Sequence, residues 1–186
     1  FHLKHVAQPV VSFGQGCEGE PLMVSDTIEQ AVRLIRRKTG KGIINLNTNA
    51  SRPDAVARLC DAGLDSMRVS LNSTQALFYE RYYCPRDYDF FDVLASIRQA
   101  KRKGIFVSLN YLTVPGFTDS IQEFQSLKKF LDHQAVNMIQ WRNLNFDPYG
   151  YFHRLKYEPG AGDLIGIGRI IHDIHRQYPS LIKGYF

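Results

Sequence analysis

The sequence has little cysteine and no long apolar run, and each shortage excludes a class of protein. Among its 186 residues are three cysteines, Cys17, Cys60 and Cys84, which lie far apart along the chain. An odd number at such wide spacing fits neither a disulfide framework nor close-spaced metal ligands. We therefore predict a reducing, cytoplasmic location. No stretch of about 18 apolar residues is present, so no transmembrane helix is predicted.

The composition is that of a globular domain with a core of its own. Hydrophobic residues make up 44% of the chain, charged residues make up 22%, and the formal net charge is +5. This length and composition are sufficient for one packed domain. A mildly basic balance fits nucleic acid or an anionic small ligand, and it equally fits a solvated basic surface.

Apolar strand patterns alternate with amphipathic helix patterns five times along the chain. The predicted strands cover residues 10–13, 42–49, 66–72, 105–112 and 136–141. Helices are predicted between them, with Asp26 as the N-cap of the first, and a last helix is predicted over residues 163–177. An irregular aromatic segment is predicted over residues 146–157. This alternation predicts a parallel sheet covered by helices, either a barrel or an open doubly wound sheet.

The loop after the first strand has the composition of a ligand site. Its notable residues are three glycines, two carboxylates and a thiol: Gly14, Gly16, Gly19, Glu18, Glu20 and Cys17. Glycine permits backbone angles closed to other residues, or lets a ligand lie against the main chain. A strand, a glycine-rich turn and a helix form the usual ligand-binding edge of α/β proteins.

Polar side chains recur at period two in every predicted strand, so each set shares one face of its strand. The members are Ser12, Asn45, Asn47, Asn49, Arg68, Ser70, Asn72, Ser108, Asn110, Gln140 and Arg142. Burying such groups without partners is costly, which favours a barrel whose interior binds a polar ligand. Amides, hydroxyls, an arginine and an acid suit a zwitterionic, ribose-bearing molecule. The alternative is an antiparallel sheet with one face in water.

Four segments in this order resemble the motifs of the radical S-adenosylmethionine (radical SAM) enzymes. They are Gly19–Leu22, Asn47–Ala50, Arg68–Ser73 and Leu112–Asp119. The resemblance implies an enzyme with a partial TIM-like (β/α) barrel in which the visible strands are barrel strands two to six. Residues 1–145 would form this partial barrel, and residues 146–186 a C-terminal irregular segment and helix packed on it.

The resemblance also implies a binding role for individual residues. Gly19 and Glu20 would meet the methionine ammonium, although Glu18 stands where the family has a glycine and leaves the choice of carboxylate open. The remaining expected contacts are Ser70 and Asn49 for the carboxylate, Asn72 and Asn110 for the ribose, Arg142 to Leu144 for the adenine, and Asn47 in the Asn47–Ala50 segment. Asn72 replaces the usual aspartate of the family.

The family's Cys-x3-Cys-x2-Cys loop, which holds a 4Fe–4S cluster, is absent from this sequence. Residues 1–6 read as the end of a helix, so we expect the chain to be a fragment whose cluster ligands lie upstream. The full enzyme would need S-adenosylmethionine, the cluster, an electron donor and an unknown substrate, with no membrane partner. The chain as given would not itself cleave S-adenosylmethionine to a 5′-deoxyadenosyl radical for hydrogen abstraction.

Several alternatives stay open at the level of sequence. Two other interpretations are a basic α/β binding module for RNA or a protein partner, and an ordinary phosphate-binding barrel. Cys17 is either a substrate-side thiol or radical partner, and so a candidate catalytic residue, or a small core residue. The strand at residues 10–13 is expected at a sheet edge that is exposed or covered by a partner, such as a second copy in a dimer.

Overall fold

A computed structural model describes residues 2–16, 19–158 and 163–184 of the chain. The helices are α1 (His2–His5), α2 (Ser25–Lys38), α3 (Pro53–Ala62), α4 (Ala76–Tyr83), α5 (Phe90–Arg102), α6 (Ile121–Gln134), α7 (Pro148–Leu155) and α8 (Ile167–Gln177). The strands are β1 (Val10–Phe13), β2 (Ile43–Thr48), β3 (Ser66–Leu71), β4 (Phe106–Thr113), β5 (Met138–Asn143) and β6 (Ile182–Lys183). A 3₁₀ helix, Pro21–Val24, precedes α2.

The strands form one six-stranded parallel sheet in the order β1-β2-β3-β4-β5-β6. In the register of the first pairs, Val10 lies opposite Ile43 and Asn45 opposite Ser66. The predicted parallel α/β fold with outer helices is confirmed, and β1 lies at the expected sheet edge. No helix within the described ranges has both the length and the apolar character needed to cross a membrane.

The first compact unit comprises residues Phe1–Ser70 and Phe91–Ser108. Its strands bury the apolar side chains that alternate with the polar ones, as the period of a strand requires. The largest of these, including Ile44, Leu46 and Met67, are fully buried. Helices α2 and α3 pack against each other, and Arg58 of α3 pairs with both Asp26 and Glu29 of α2.

The second compact unit comprises residues Leu71–Phe90 and Leu109–Phe186. Its aromatic core, which we call the aromatic cluster, consists of Phe78, Val114, Phe117, Tyr151 and Leu155. The Phe78 and Phe117 rings meet edge to face, with centroids 5.1 Å apart. Strand β6 pairs with β5 in parallel, with Met138 opposite Ile182.

Two local predictions were wrong, and one strand was not predicted. Residues 146–157 are not wholly irregular, because Pro148–Leu155 forms helix α7, capped by the Asp147 carboxylate. Helix α2 begins at Ser25 without a side-chain cap, so Asp26 lies in its first turn and is not its N-cap. The two-residue strand β6 was not predicted. The expected division at residue 145 stays a prediction.

Candidate functional site

The glycine-rich turn after β1 lies directly against the end of β2. Gly14 has φ +78°, and a Cβ atom at this position would lie 2.2 Å from the Asn47 carbonyl oxygen. The Asn47 side-chain amide donates to the Gly14 carbonyl at 3.2 Å and to the Ser12 hydroxyl at 3.3 Å. Asn47, predicted as a ligand residue, therefore holds the turn in place.

Glu20 joins the loops that follow β1 and β2. Its carboxylate accepts hydrogen bonds from the Asn49 backbone N–H at 2.7 Å and from the Thr48 hydroxyl. It also accepts from the Leu22 backbone N–H at 3.1 Å, which caps the 3₁₀ helix. Both carboxylate oxygens thus have donors within the chain. Gly19, just before it, is exposed and has φ +80°. The expected contact of Gly19 and Glu20 with an ammonium group stays a prediction.

The polar side chains of the first unit hydrogen-bond to one another. The Asn45 amide donates to the Ser12 hydroxyl at 2.8 Å and to the Asn47 oxygen at 3.0 Å. The Ser66 hydroxyl in turn donates to the Asn45 oxygen at 2.7 Å. Asn45 and Asn47 thus have hydrogen-bond partners without a ligand, and the expected contact of Asn47 with a ligand stays a prediction. Ser70 is half-buried on the same face of β3 as Ser66.

Asn49 also has partners within its own loop. Besides the bond from its backbone N–H to Glu20, its side-chain oxygen accepts from the Ser51 backbone N–H at 3.0 Å. This arrangement shapes the turn that leads from β2 into α3. Asn49 is half-buried, so part of its side chain stays accessible. Its predicted contact with a ligand carboxylate remains a prediction.

In the second unit, Asn72 is completely buried beside the aromatic cluster. Its side-chain NH₂ group donates to the Phe78 carbonyl at 3.1 Å and lies 3.5 Å from the Tyr151 hydroxyl. Burial raises the pKa of Tyr151, so the phenol stays protonated at neutral pH. Within the described part of the chain, the Asn72 side-chain oxygen has no donor.

Three more buried amide oxygens of this unit share that condition, one on Gln134 of α6 and two on strands. Among the residues that the structure describes, neither the Asn110 nor the Gln140 side-chain oxygen has a hydrogen-bond partner. The next residues along β4 and β5, Tyr111 and Trp141, contact each other with ring centroids 5.6 Å apart. Since side chains alternate along a strand, the two amides lie on the opposite faces of their strands from these rings.

The remaining predicted site residues fall in different settings. Arg142 is exposed at the end of β5. Leu144 packs against the aromatic cluster, and its backbone N–H already donates to the Thr113 carbonyl at 3.2 Å. Cys17 and Glu18 lie outside the described residues, so both predictions remain as they were.

The described residues do not fit an iron–sulfur cluster. Within residues 2–16, 19–158 and 163–184, no group of three or more His, Cys, Asp or Glu side chains is placed to hold a metal ion. Cys60 is buried, whereas Cys84 is exposed at the end of α4. Burial raises the pKa of the Cys60 thiol to about 11, which favours the thiol over the metal-binding thiolate.

Sequence reasoning missed three residues with notable contacts: Thr48, Glu123 and Tyr151. Ser120 and Glu123 have the spacing of a capping box, and the Ser120 hydroxyl does accept from the Glu123 backbone N–H at 3.2 Å. The Glu123 carboxylate, however, turns inward to other partners. Nothing in the sequence distinguishes an inward from a capping orientation.

Comparison with known proteins points to one superfamily. A family model described as the radical SAM superfamily matches residues 4–131. The chain is 29% identical over 135 residues to the FeMo cofactor biosynthesis protein NifB of Klebsiella pneumoniae, which covers 63% of this chain and 29% of that protein. It is 30% identical over 123 residues to the GTP 3′,8-cyclase of Rhizobium etli, which covers 64% of this chain and 34% of the cyclase. The matches thus span about a third of the length of these curated relatives.

Solved structures share the fold at low sequence identity. Methylornithine synthase matches with a TM-score of 0.65 at 12% identity, covering 94% of this chain and 48% of the other. A domain of a pyruvate-formate lyase-activating enzyme from Bacteroides vulgatus matches with a TM-score of 0.64 at 12% identity, covering 94% of this chain and 98% of that domain. At such identity the likeness concerns the fold alone, and it confirms the predicted partial TIM-like barrel.

Proposed function

The chain belongs to the radical SAM superfamily, and on that premise we propose that the protein reductively cleaves S-adenosylmethionine to a 5′-deoxyadenosyl radical that abstracts hydrogen from a substrate. Enzymes of this superfamily use S-adenosylmethionine and a 4Fe–4S cluster. Bound S-adenosylmethionine supplies the group that initiates radical chemistry, while the protein binds this cofactor, orients it and excludes water from it. The candidate site residues of this chain serve to bind and orient the cofactor.

The observation that carries the proposal is a set of three buried amide oxygens without donors on, or directly after, the strands β3, β4 and β5: those of Asn72, Asn110 and Gln140. A buried acceptor left unsatisfied costs on the order of 1–3 kcal/mol. A ligand that brings hydroxyl or amine donors to these oxygens removes that cost. The adenosyl group carries two ribose hydroxyls and one exocyclic amine, which supports it as the ligand that these acceptors await.

The first unit supports the proposal by a different feature, the hydrogen bonds between Glu20 and the loop after β2. The Glu20 carboxylate accepts from Thr48 and Asn49, so these three residues hold one another in place before any ligand arrives. Preorganised residues lose little conformational entropy on binding. We assign to Glu20 and Asn49, with Gly19 and the half-buried Ser70, the amino-acid part of S-adenosylmethionine.

The test uses the full-length protein, reconstituted anaerobically with iron and sulfide and supplied with dithionite and S-adenosylmethionine. We expect 5′-deoxyadenosine in the reaction mixture by mass spectrometry. Asn110→Ala and Gln140→Ala should each raise the KM for S-adenosylmethionine, whereas the exposed control Gln122→Ala should not. A folded protein that forms no 5′-deoxyadenosine and instead retains RNA would contradict the proposal and favour the binding-module alternative.

The proposal includes partners that the chemistry requires. Reductive cleavage consumes one electron per S-adenosylmethionine, so an electron donor must act on the protein. We also propose a cytoplasmic location, and association of two copies through β1, which lies at the sheet edge with Val10 50% exposed. A monomer by light scattering at micromolar concentration would contradict the association of two copies through β1.

A further inference from the structure

Glu123 is a buried carboxylate bound by neutral donors only. The residue has no exposed surface, and its carboxylate receives hydrogen bonds from five groups. The donors are the Ser73 hydroxyl at 2.7 Å, the Thr74 backbone N–H at 2.8 Å, the Thr74 hydroxyl at 3.3 Å, the Gln75 side-chain NH₂ at 2.6 Å and the Tyr111 hydroxyl. Buried charges are costly unless fully hydrogen-bonded, and these donors provide that compensation.

The donors come from two places that matter for the candidate site. Residues 73–75 form the loop that leaves β3, directly after Asn72. Tyr111 follows Asn110 on β4. Asn72 and Asn110 are the residues proposed to bind the ribose of S-adenosylmethionine. Glu123, on α6, therefore binds the immediate neighbour of each proposed ribose ligand.

We propose that Glu123 is a positioning residue that fixes Asn72 and Asn110 for binding of the S-adenosylmethionine ribose. This inference rests on the proposed function and adds a residue that does not itself touch the ligand. The five hydrogen bonds to Glu123, which we call the clamp, hold the chain beside both amides, because Ser73 directly follows Asn72 and Tyr111 directly follows Asn110. Without the clamp, the loop after β3 would keep the hydrogen bond from the Thr74 hydroxyl to the Ser126 hydroxyl of α6, at 2.9 Å, and would lose those to Glu123.

The chemistry of the clamp requires a carboxylate. A carboxylate accepts at both oxygens, whereas a glutamine accepts at one and donates at the other. In Glu123→Gln, the new NH₂ group would face either the fixed Thr74 backbone donor or the Gln75 side-chain donor. Exchanging the two side chains, Glu123→Gln with Gln75→Glu, restores one acceptor opposite one donor. The double variant should therefore restore binding if hydrogen bonding is what matters. It should not restore binding if Glu123→Gln acts through a loss of packing.

The experiment measures the affinity of the full-length protein for S-adenosylhomocysteine by calorimetry, well below the unfolding temperature. We expect Glu123→Gln to weaken binding at least tenfold and to speed hydrogen exchange at the Thr74 amide. The matched control is Leu127→Ala, since Leu127 is buried on the same helix and its side chain has no hydrogen-bond donor or acceptor. It should lower the unfolding temperature and leave the affinity within twofold. The Glu123→Gln, Gln75→Glu double variant should recover most of the affinity.

Three results would overturn the inference. The first is an affinity of Glu123→Gln equal to that of the wild type. The second is a loss of affinity in Leu127→Ala as large as that in Glu123→Gln, which would indicate general destabilisation. The third is a double variant that binds no more tightly than Glu123→Gln alone. A wild-type protein that does not bind S-adenosylhomocysteine at all would instead refute the proposed function on which the inference depends.

Discussion

Replacing Gly14 by alanine should destabilise the protein through the turn that leaves β1. A left-handed backbone costs a non-glycine residue about 1–2 kcal/mol, and forcing an extra methyl into a filled space costs about 1–3 kcal/mol. The added Cβ would lie 2.2 Å from the Asn47 carbonyl oxygen, which is backbone and cannot rotate away. Alanine also lowers the conformational entropy of the unfolded chain, which offsets about 0.4–1 kcal/mol of this destabilisation. The midpoints of these ranges give a net loss of about 3 kcal/mol.

The assay is thermal and urea unfolding of Gly14→Ala beside a matched control, Gly16→Ala. The control residue lies two positions along the same turn, where an added Cβ would meet nothing within 4 Å. For a chain of this length, 1 kcal/mol corresponds to about 2–4 °C, so Gly14→Ala should lower the unfolding temperature by roughly 5–15 °C. Gly16→Ala should stay within about 2 °C of the wild type. Equal unfolding temperatures for the two variants would refute the packing of the turn against β2.

Three further predictions follow from individual side chains. Burial lowers the pKa of His175, so the unfolded state binds more protons below about pH 6.5 and stability should fall as the pH drops below that value; in His175→Gln this pH dependence, followed by urea unfolding, should be weaker. Iodoacetamide at pH 8 should alkylate the exposed Cys84 much faster than Cys60, whose pKa burial raises to about 11, and equal rates in peptide maps would contradict this. Glu20→Gln places an NH₂ group opposite a backbone N–H donor and should cost about 1–3 kcal/mol in urea unfolding, while the exposed control Glu80→Gln should stay within about 0.5 kcal/mol.

The fold was predictable because its strands and helices follow simple periodic patterns. The alternation in β2 separates buried Ile44 and Leu46 from the asparagines, and the structure keeps that separation. Helix α7 was missed although its signal is present: Asp147 and Pro148 are a cap and a first-turn proline. The density of aromatic residues after Pro148 obscured that signal. Strand β6 has only two residues, too few for any periodicity.

The sequence indicates which candidate-site residues share a strand face, but only partly what they contact. The sequence shows that Asn45 and Asn47 share a face, but not that Ser12 and Ser66 would satisfy them, because such partners depend on strand register. Hydrogen bonds between residues that are distant in the sequence could not be predicted for the same reason. Glu123 meets its loop across 48 to 50 residues of sequence, and no local pattern encodes that distance.

The central claim is that buried amide oxygens in the second unit await an adenosyl ribose, and a double-mutant cycle tests it most directly. The measured quantity is the dissociation constant of the full-length protein for S-adenosylhomocysteine and for its 2′,3′-dideoxyribose analogue, with the wild type and with Asn110→Ala. If Asn110 accepts a ribose hydroxyl, removing both partners should cost less than the product of the single losses, by a factor of about three or more, a coupling above roughly 0.5 kcal/mol. Losses that multiply without coupling would contradict the assignment of Asn110 to the ribose.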